Sequence, residues 1–417
     1  MPPTVLAPRY LARFSCIGGA CEDTCCANWS ISIDSDHYRK MRRAFGQTKA
    51  DRAQFDQSVK RLRSGRNDTR FALIVLDQRT CKCNFLATDG LCGLQKRFGE
   101  PTLPDVCVTY PRRQSIVGDR VEMAAALSCP EVARQALLHA DAMELVDLDS
   151  KVVTRPLWVQ IVEGVDAYEQ SLDAVRMAMM GIIAGASSLA AGLGTVAALA
   201  HILDASFGAG KPFAQEALAR ALDDFSKPER SEQIAKALDE IDMPLEVPMR
   251  PLLEVLAKRV DLPEGRFGDV LAHAVSAYTI RETSIVADVA KAYLERRESV
   301  RSLVDPSLNA MLVNFALNHA FTQWFTSSPN LGVWVRGLVV RVALIRFLVY
   351  AHPEIAALAA TPATEGDAKR TVERVTVETV YRMARTIDHH QPFLRLLDEV
   401  LPQTMPGLEH ALSMLKL

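Results

Sequence analysis

Residues 14–29 of this 417-residue chain read FSCIGGACEDTCCANW and contain four of its nine cysteines. The remaining five are Cys81, Cys83, Cys92, Cys107 and Cys129. A chain that used cysteine only as a small core residue would scatter it, but here none follows Cys129. Clustered cysteines in a protein that is not exported indicate metal or redox chemistry, because cytosolic thiols normally stay reduced.

The cysteine spacing favours a metal centre without identifying the metal. Thiolates are soft ligands that suit zinc and iron–sulfur clusters alike, and paired C-x2-C zinc knuckles are absent from the sequence. The adjacent Cys25 and Cys26 would point in opposite directions from a regular strand, so we expect them in a loop or at a helix start. Nine thiols exceed the needs of one four-ligand site, which leaves either structural cysteines or a second centre.

Composition predicts a globular cytoplasmic protein that does not bind nucleic acid. The N-terminal MPPTVLAPRYLARF lacks the sustained apolar stretch of a secretory signal. Hydrophobic residues make up 49% and charged residues 24% of the chain, as in ordinary globular domains. The formal net charge of -2 argues against a general polyanion binder, which would need surplus Lys and Arg.

Local patterns predict short helices and strands in the first third of the chain. Asp34 is placed to cap a helix that carries Tyr38, Met41 and Phe45 on one face. Residues 70–76 are rich in β-formers, and residues 114–117 and 120–127 flank a Gly-Asp turn, which predicts a hairpin. The sequence Ser-Cys-Pro-Glu at 128–131 predicts a helix start.

From about residue 151 the pattern becomes nearly continuous helix. We expect prolines to end these helices, because proline lacks the backbone N–H and clashes with the preceding turn. The prolines expected at breaks are Pro248, Pro263, Pro306, Pro329 and Pro353. The predicted fold is therefore mainly α: a cysteine-rich metal-binding domain with a few short strands at 1–145, followed by an all-α helical domain at 146–417.

Two apolar segments raise the question of a membrane. Residues 177–203 carry no charge and are long enough to span a bilayer, but they are mostly Ala, Gly and Ser. We expect two buried helices broken at residues 192–194, with peripheral membrane association left open. Residues 331–350 carry Arg336, Arg341 and Arg346, which predict an amphipathic helix.

Three stretches resemble the flagellin lysine-N-methylase family, which shares a CxxCxxCC-type cysteine-rich domain with other zinc- or iron-chelating proteins. They are RYLARFSCIGGACEDTCCANWSISID, CNFLATDGLCGLQKRFGEPTLPDVCVTYPRR and SCPEVAR, all within about the first 135 residues. The resemblance implies transfer of methyl groups from S-adenosylmethionine to lysine ε-amines of flagellin. It also implies a 4Fe–4S cluster, with zinc as the alternative, and a metal-ligand set of Cys16, Cys21, Cys25, Cys26, Cys83, Cys92, Cys107 and Cys129. Cys81 is an extra cysteine outside this set.

The usual scaffolds for S-adenosylmethionine are not recognisable in the sequence. The glycines at 192–194 follow a helical run instead of a strand, which argues against a Rossmann site. Tyr110 and Asp34 are candidates for deprotonating the lysine amine, since methyl transfer needs a neutral amine. Trp29 and Arg112 are candidates for binding the cofactor. For each, a purely structural role is the competing interpretation: packing for Tyr110 and Trp29, helix capping for Asp34, and a solvated face for Arg112.

Two other functions stay open from the sequence. One is a non-catalytic zinc- or iron-binding module joined to a helical protein-interaction scaffold. The other is an electron-transfer or redox-sensing protein, which would reduce its cluster reversibly without binding S-adenosylmethionine. The oligomeric state also stays open.

Overall fold

The computed structural model describes most of the chain up to residue 388. It describes residues 4–388 except 66, 154, 156–157, 161–166, 208–212, 258–266, 282, 326–327 and 361–363, and later 399, 403, 405 and 407–417. Within these residues the protein is mainly α-helical with a few short strands, as predicted. The break expected at Pro263 lies outside the described residues.

Eight strands form two sheets. The strands are β1 Thr4–Pro8, β2 Ile31–Ile33, β3 Val59–Arg61, β4 Ala72–Ile74, β5 Arg112–Val117, β6 Arg120–Ala125, β7 Leu145–Asp149 and β8 Trp158–Gln160. One sheet has the order β7-β1-β6-β5-β8, and the other has the order β2-β4-β3. In the larger sheet β1 is parallel to β6 and β8 is parallel to β5, whereas the remaining neighbours are antiparallel.

Among the described residues, the helices before residue 171 have at most 10 residues, and most of those after it are longer. The short ones are α1 Tyr10–Arg13, α2 Ser35–Ala44, α3 Lys49–Ser58, α4 Gly93–Phe98, α5 Asp105–Thr109, α6 Pro130–Leu137 and α7 Ala167–Gln170. The next are α8 Leu172–Gly185, α9 Leu189–Phe207, α10 Gln215–Phe225, α11 Pro228–Glu240, α12 Glu246–Ala257 and α13 Phe267–Ala277. The last are α14 Val286–Thr322, α15 Leu331–Ala351, α16 Pro353–Ala360, α17 Glu365–Ile387 and α18 Leu408–Met414.

Several local predictions are confirmed. Asp34 caps α2, where its Oδ1 accepts the N–H groups of Asp36 and His37, both at 2.9 Å. β5 and β6 form the predicted hairpin, and Gly118 in its turn has a φ of 59°. α6 begins at Pro130, immediately after Cys129. Turn and capping chemistry is local, which explains why these elements could be read from the sequence.

Three predictions about the helical segment are wrong in detail. Pro306 lies inside α14, where tertiary packing overrides the proline signal, since Val304 and Leu308 on either side of it are fully buried. Pro248 lies in the first turn of α12, where proline is tolerated, so the break falls just before it instead of at it. Residues from 151 onward are not all helix, because β8 joins β5. Residues 192–194, where we expected the uncharged segment 177–203 to break, lie inside α9. The break between the two helices is at 186–188. At Gly194 an added Cβ would lie 2.8 Å from the Ile234 side chain, so glycine is needed there for close helix packing.

Helix α15 is not amphipathic as predicted. All of its residues except Gly332 and Arg336 are buried. Arginines five residues apart are rotated by about 140° from one another, so they cannot form one polar stripe. Instead Arg346 donates to Asn309 Oδ1 at 2.7 Å and Arg341 pairs with Asp388 at 3.4 Å. Both buried guanidinium groups therefore have a partner on a neighbouring element, a carboxylate for Arg341 and a neutral amide for Arg346.

Two hydrophobic clusters organise the described residues. The main core combines the inner face of the larger sheet and α6 with the helices from α8 onward. The small core lies within residues 31–103 and contains Ile31, Phe45, Phe55 and Cys83 among its buried residues. The boundary between residues 145 and 146 stays a prediction, although the main core draws side chains from both sides of it.

Among the described helices, α9 is long and apolar enough to cross a membrane. Within its most apolar window, 67% of the residues are buried inside the protein. A buried core helix meets the same criterion, so this helix is weak evidence for membrane contact.

Candidate metal centre

The first two cysteine segments are joined by backbone hydrogen bonds. Ala27 and Lys82 form an antiparallel bridge, and the N–H of Cys83 donates to the carbonyl of Cys26 at 2.8 Å. This register places Cys26 opposite Cys83. The sequence separation of the two is large, so only tertiary pairing brings these thiols together.

Four thiols, which we call the inner group, surround the small core: Cys26, Cys83, Cys92 and Cys107. Cys83 is buried and the other three are partly buried against the same cluster. Cys92 is fixed by a bridge to Leu86, and Cys107 lies on α5. Burial raises the pKa of Cys107, and the nearby thiols of Cys83, Cys92 and Cys25 raise it further.

Three other thiols, Cys16, Cys21 and Cys129, lie near the start of α6. Cys129 immediately precedes this helix, and its sulfur accepts the N–H groups of Val132 and Glu131. Burial raises the pKa of Cys129 to about 11, these hydrogen bonds oppose the rise, and the charges of Cys21 and Cys16 add to it. Helix N–H groups favour a thiolate, so Cys129 is suited to ligation once a metal supplies positive charge.

The loop that carries Cys16 and Cys21 is held in place by its neighbours. Glu22 forms a two-point ion pair with Arg134 of α6, with N–O distances of 2.6 and 3.1 Å. At Gly19 a Cβ would lie 2.5 Å from the backbone oxygen of Asp89, so the 16–21 loop lies directly against the loop that precedes Cys92. Glu22 therefore ties this loop to α6.

Cys25 lies between the two sets of thiols. A hydrogen bond with Cys26 raises its pKa, and burial raises it further. Its charge also contributes to the raised pKa values of Cys21 and Cys83, although burial is the largest cause in both. Cys25 therefore has thiol neighbours in both sets, Cys26 and Cys83 in the inner group and Cys21 in the other.

Two of the sequence candidates, Trp29 and Tyr110, lie beside Cys25. The indole Nε1 of Trp29 donates to the carbonyl of Cys25 at 2.6 Å, and the rings of Trp29 and Tyr110 are 5.9 Å apart. The Tyr110 hydroxyl is 3.1 Å from Ser128 Oγ. Burial raises the pKa of Tyr110, so its phenol is protonated at neutral pH.

The other two candidates, Asp34 and Arg112, are occupied elsewhere. Besides capping α2, Asp34 contacts His37 Nδ1 at 2.5 Å through its second oxygen. One potential ligand atom from each of Asp34, His37 and Asp105 lies within 4.8 Å of the other two, which is close enough to bind one cation. Arg155 fills the space a cation would need, with Nη1 at 2.9 Å from Asp105 and 3.2 Å from His37. The Arg112 guanidinium stacks over the Phe14 ring at 5.1 Å.

Sequence reasoning missed Arg385, which reaches the cysteine loop from the opposite end of the chain. This residue of α17 forms an ion pair with Asp23 at 2.7 Å and donates to the carbonyl of Thr24 at 2.6 Å. Its charge opposes the rise in the pKa of Cys25 and of Tyr110. No local pattern marks Arg385, because its partner is more than 350 residues away in sequence.

Comparison with known proteins identifies the family. A family model described as the FliB lysine N-methylase C-terminal domain matches residues 186–416, more than half of the chain. Lysine-N-methylases of Salmonella typhimurium LT2 and Salmonella choleraesuis SC-B67 are 33% and 32% identical over 142 residues, which is 34% of this chain and 34% of each relative. The flagellar biosynthetic protein FliU of Salmonella muenchen is 32% identical over 142 residues, or 82% of its length.

The aligned part of the chain thus spans about a third of the length of the curated lysine-N-methylases. No solved structure matches the chain. The resemblance noted from the cysteine segments is confirmed by the family model, which matches the helical region that seemed less characteristic by sequence. The chain belongs to the FliB lysine N-methylase family.

Proposed function

We propose that this protein is an S-adenosylmethionine-dependent methyltransferase that N-methylates lysine side chains of flagellin and requires an iron–sulfur cluster bound by its cysteines. Membership of the family supports lysine methylation, as do the two relatives named lysine-N-methylase. The name of the FliU relative supports a flagellar substrate. The observation that carries the proposal is the approach of cysteines from distant segments, with Cys26 opposite Cys83 and with Trp29 and Tyr110 beside Cys25.

The spacing of the sulfurs supports a cluster over a single zinc ion. A tetrahedral zinc with Zn–S bonds of about 2.3 Å holds its sulfurs about 3.8 Å apart. All nine cysteines are described, and no three of their sulfurs lie within 4.8 Å of one another. Iron–sulfur clusters place bridging sulfides between their irons, so they hold thiolates farther apart. The observed arrangement therefore disfavours a single tetrahedral zinc, which is the alternative to the cluster.

The residues around Cys25 supply the groups that lysine methylation needs. When bound, S-adenosylmethionine supplies an electrophilic methyl group and the cluster supplies redox or Lewis-acid chemistry. The faces of Trp29 and Tyr110 offer a surface for a cationic sulfonium or ammonium group. Because the Tyr110 phenol keeps its proton, its role here is to donate a hydrogen bond and orient a substrate. Desolvation lowers the pKa of the lysine amine, so that its proton passes to water before methyl transfer.

A cleft adjoins this region on the side of the main core. It lies between the end of the β5-β6 hairpin, α14 and α17, and its lining includes Arg113, Ser128, Asn318, His319 and Asp388. Ser128 is also the partner of Tyr110. The cleft has a volume of about 20 Å³, enough for one water molecule, so it is not a preformed site for the cofactor.

The proposal is tested with anaerobically prepared full-length protein, labelled S-adenosylmethionine and flagellin, followed by mass analysis of the flagellin lysines. The intact cluster form is expected to add methyl groups, and a Cys21→Ala/Cys25→Ala variant to lose this activity. Equal methylation by both proteins would rule out dependence on the cluster.

A colourless protein that retains zinc and methylates nothing would favour the non-catalytic metal-binding module. A brown protein with broad absorbance near 400 nm, about the region expected for iron–thiolate charge transfer, supports the cluster. A cluster that is reduced reversibly without binding S-adenosylmethionine would favour the redox protein. Cytoplasmic location stays part of the proposal, with flagellin met before its export.

A further inference from the structure

Residues 39–97 carry a pronounced excess of positive charge. This stretch contains 15 Lys and Arg but 5 Asp and Glu, whereas the rest of the chain contains 33 Lys and Arg against 45 Asp and Glu. The formal net charge of -2 therefore masks a basic segment joined to an acidic remainder. A local excess of one sign creates a field over the surface that attracts a partner of the opposite sign.

The structure places these cations on the outside of the small core. The elements α2, α3 and β3 bury their apolar side chains in that core, among them Met41, Phe55 and Val59. The structure describes 14 of the 15 Lys and Arg in residues 39–97, and all 14 are exposed. We call these 14 exposed side chains the basic face. It is the outer surface of the cysteine-rich part of the protein.

Four cations of the basic face lie at the corner between α2 and α3. Arg42 and Arg43 lie in the last turn of α2, and Lys49 is the first residue of α3. Arg52 of α3 donates from Nε to the carbonyl of Gly46, between the two helices, at 3.0 Å. Within the part of the chain that the structure describes, Arg42, Arg43 and Lys49 form no ion pair. Such a concentration of like charge is relieved when an acidic partner binds.

The basic face extends to the loop that carries Trp29. Lys82 is exposed and forms an antiparallel bridge with Ala27, two residues before Trp29. The Trp29 ring is in turn 5.9 Å from the ring of Tyr110. A protein held on the basic face therefore has part of its surface next to the region where the proposed function places methyl transfer.

We propose that the basic face docks an acidic surface of the protein substrate and thereby brings lysines of that surface to the Trp29 loop. This proposal rests on the proposed function, because it names the surface chemistry of the substrate for the same site. The lysines that are methylated are then those surrounded by Asp and Glu. The contact is electrostatic, so it contributes to association with the substrate and not to the chemical step.

The make-up of the basic face favours a protein over a nucleic acid or a lipid surface. Within the described part of residues 39–97, Leu91 is the one large apolar side chain that is exposed, at 39%. The same residues offer no exposed aromatic ring to stack on bases and no apolar cluster to enter a bilayer. The acidic remainder of the chain would repel an extended polyanion, whereas a globular partner contacts the basic face alone.

The test uses anaerobically prepared full-length protein and purified monomeric flagellin. Arg42→Gln/Arg43→Gln/Lys49→Gln removes three exposed cations and changes neither the small core nor a cysteine. At low ionic strength this variant is expected to bind flagellin about tenfold more weakly, measured by fluorescence anisotropy. Its kcat/KM for methylation should fall by the same factor through KM, with kcat unchanged. In about 1 M salt, where the Debye length is about 3 Å, variant and wild type should converge.

The matched control removes three exposed cations from the helical region instead. It is Arg220→Gln/Lys236→Gln/Lys291→Gln, which leaves the basic face intact and lowers the net charge by the same amount. We expect wild-type affinity for flagellin and wild-type kinetics from this control. An equal loss of affinity in the control would mean that overall charge governs binding, which would overturn the docking proposal.

The remaining outcomes separate this proposal from the proposed function. Wild-type affinity and kcat/KM in the basic-face variant would overturn docking and leave the methyltransferase standing. Flagellin that binds through the basic face without gaining methyl groups would support docking and overturn the proposed function, and flagellin that is neither bound nor methylated would overturn both. Tighter binding of duplex DNA or phosphatidylserine vesicles than of flagellin, lost in the variant, would assign the basic face to that partner instead. So would a wild-type dimer in sedimentation that the variant does not form.

Discussion

The helical region and the cysteine segments differ in how deeply they are buried. Helix α15 of the helical region buries all of its residues except Gly332 and Arg336, whereas of the nine cysteines Cys83 alone is buried. The helical region shares one large hydrophobic cluster with the larger sheet. The cysteine segments have a small core and are otherwise tied by loop hydrogen bonds and ion pairs. Burial of apolar area drives folding at about 25 cal/mol per Å2, so hydrophobic packing is the main stabilising contribution in this shared core.

The cysteine segments bury too little for the same explanation. Segments of this kind gain folding free energy when a metal binds, because the binding site does not exist in the unfolded chain. The comparison therefore teaches that one region is specified by hydrophobic packing and the other by ligand chemistry.

Removal of the metal should unfold the cysteine segments and leave the helical region folded. We expect chelation under anaerobic conditions to raise amide hydrogen exchange in residues 14–34 and 81–110 by several orders of magnitude, because structural metal sites contribute about 10 kcal/mol or more. Exchange in α15 should be unchanged. Equal loss of protection in both regions would show that they fold as one unit.

Replacement of Arg176 should destabilise the main core. This fully buried side chain forms ion pairs with Glu122 at 2.6 Å and Asp173 at 2.8 Å, linking β6 to α8. Arg176→Met leaves the buried Glu122 with the part-exposed Arg120 as its remaining cationic partner, so the free energy of unfolding should fall by about 3 kcal/mol in urea titrations. Arg120→Gln is the matched control: Arg120 pairs with the same carboxylates from a half-exposed position, and its loss should cost about 1 kcal/mol or less.

Replacement of Arg385 should loosen the cysteine loop from the helical region. Arg385→Gln removes the buried ion pair with Asp23, which should lower stability by about 3 kcal/mol and raise hydrogen exchange at residues 22–26. Arg382→Gln is the control, since Arg382 lies on the same helix with an equally buried side chain but pairs with Glu378 and Asp269. If hydrogen exchange at residues 22–26 rose equally in both variants, the effect would come from a general destabilisation of α17 and not from the Arg385–Asp23 ion pair.

Acid should destabilise the main core through His319. Burial holds the pKa of His319 well below 6.5, and Arg341 and Arg113 lower it further, so the folded protein keeps this ring neutral. Below pH 6.5 the unfolded state takes up the proton first, and stability falls by about 1.4 kcal/mol per pH unit. Between pH 6.5 and pH 5 the loss should be about 2 kcal/mol in urea titrations.

The control for this pH effect is His319→Gln, which removes the titrating ring. Its stability should decline less steeply over the same range, while His352, whose pKa burial lowers to about 4, contributes equally in both proteins. Identical pH profiles would show that His319 is not responsible.

Much of the secondary structure was predictable because its signals are local. The Asp34 cap, the hairpin turn at Gly118 and the helix start after Cys129 each depend on residues within one turn of the chain. The failures have a tertiary origin. Pro306 is tolerated inside α14 between fully buried neighbours, and Arg341 and Arg346 are buried because partners on other elements satisfy them.

The sequence by itself determined that the protein is mainly helical and that its chemistry is concentrated in thiols before residue 130, because helical periodicity and residue type are properties of the chain alone. Only the tertiary structure decided which thiols are neighbours and that Arg385 and Arg134 hold the loop between them. The physical reason is that metal ligands and ion pairs depend on distances of a few ångströms, and loops separated by tens to hundreds of residues acquire those distances only when the cores pack.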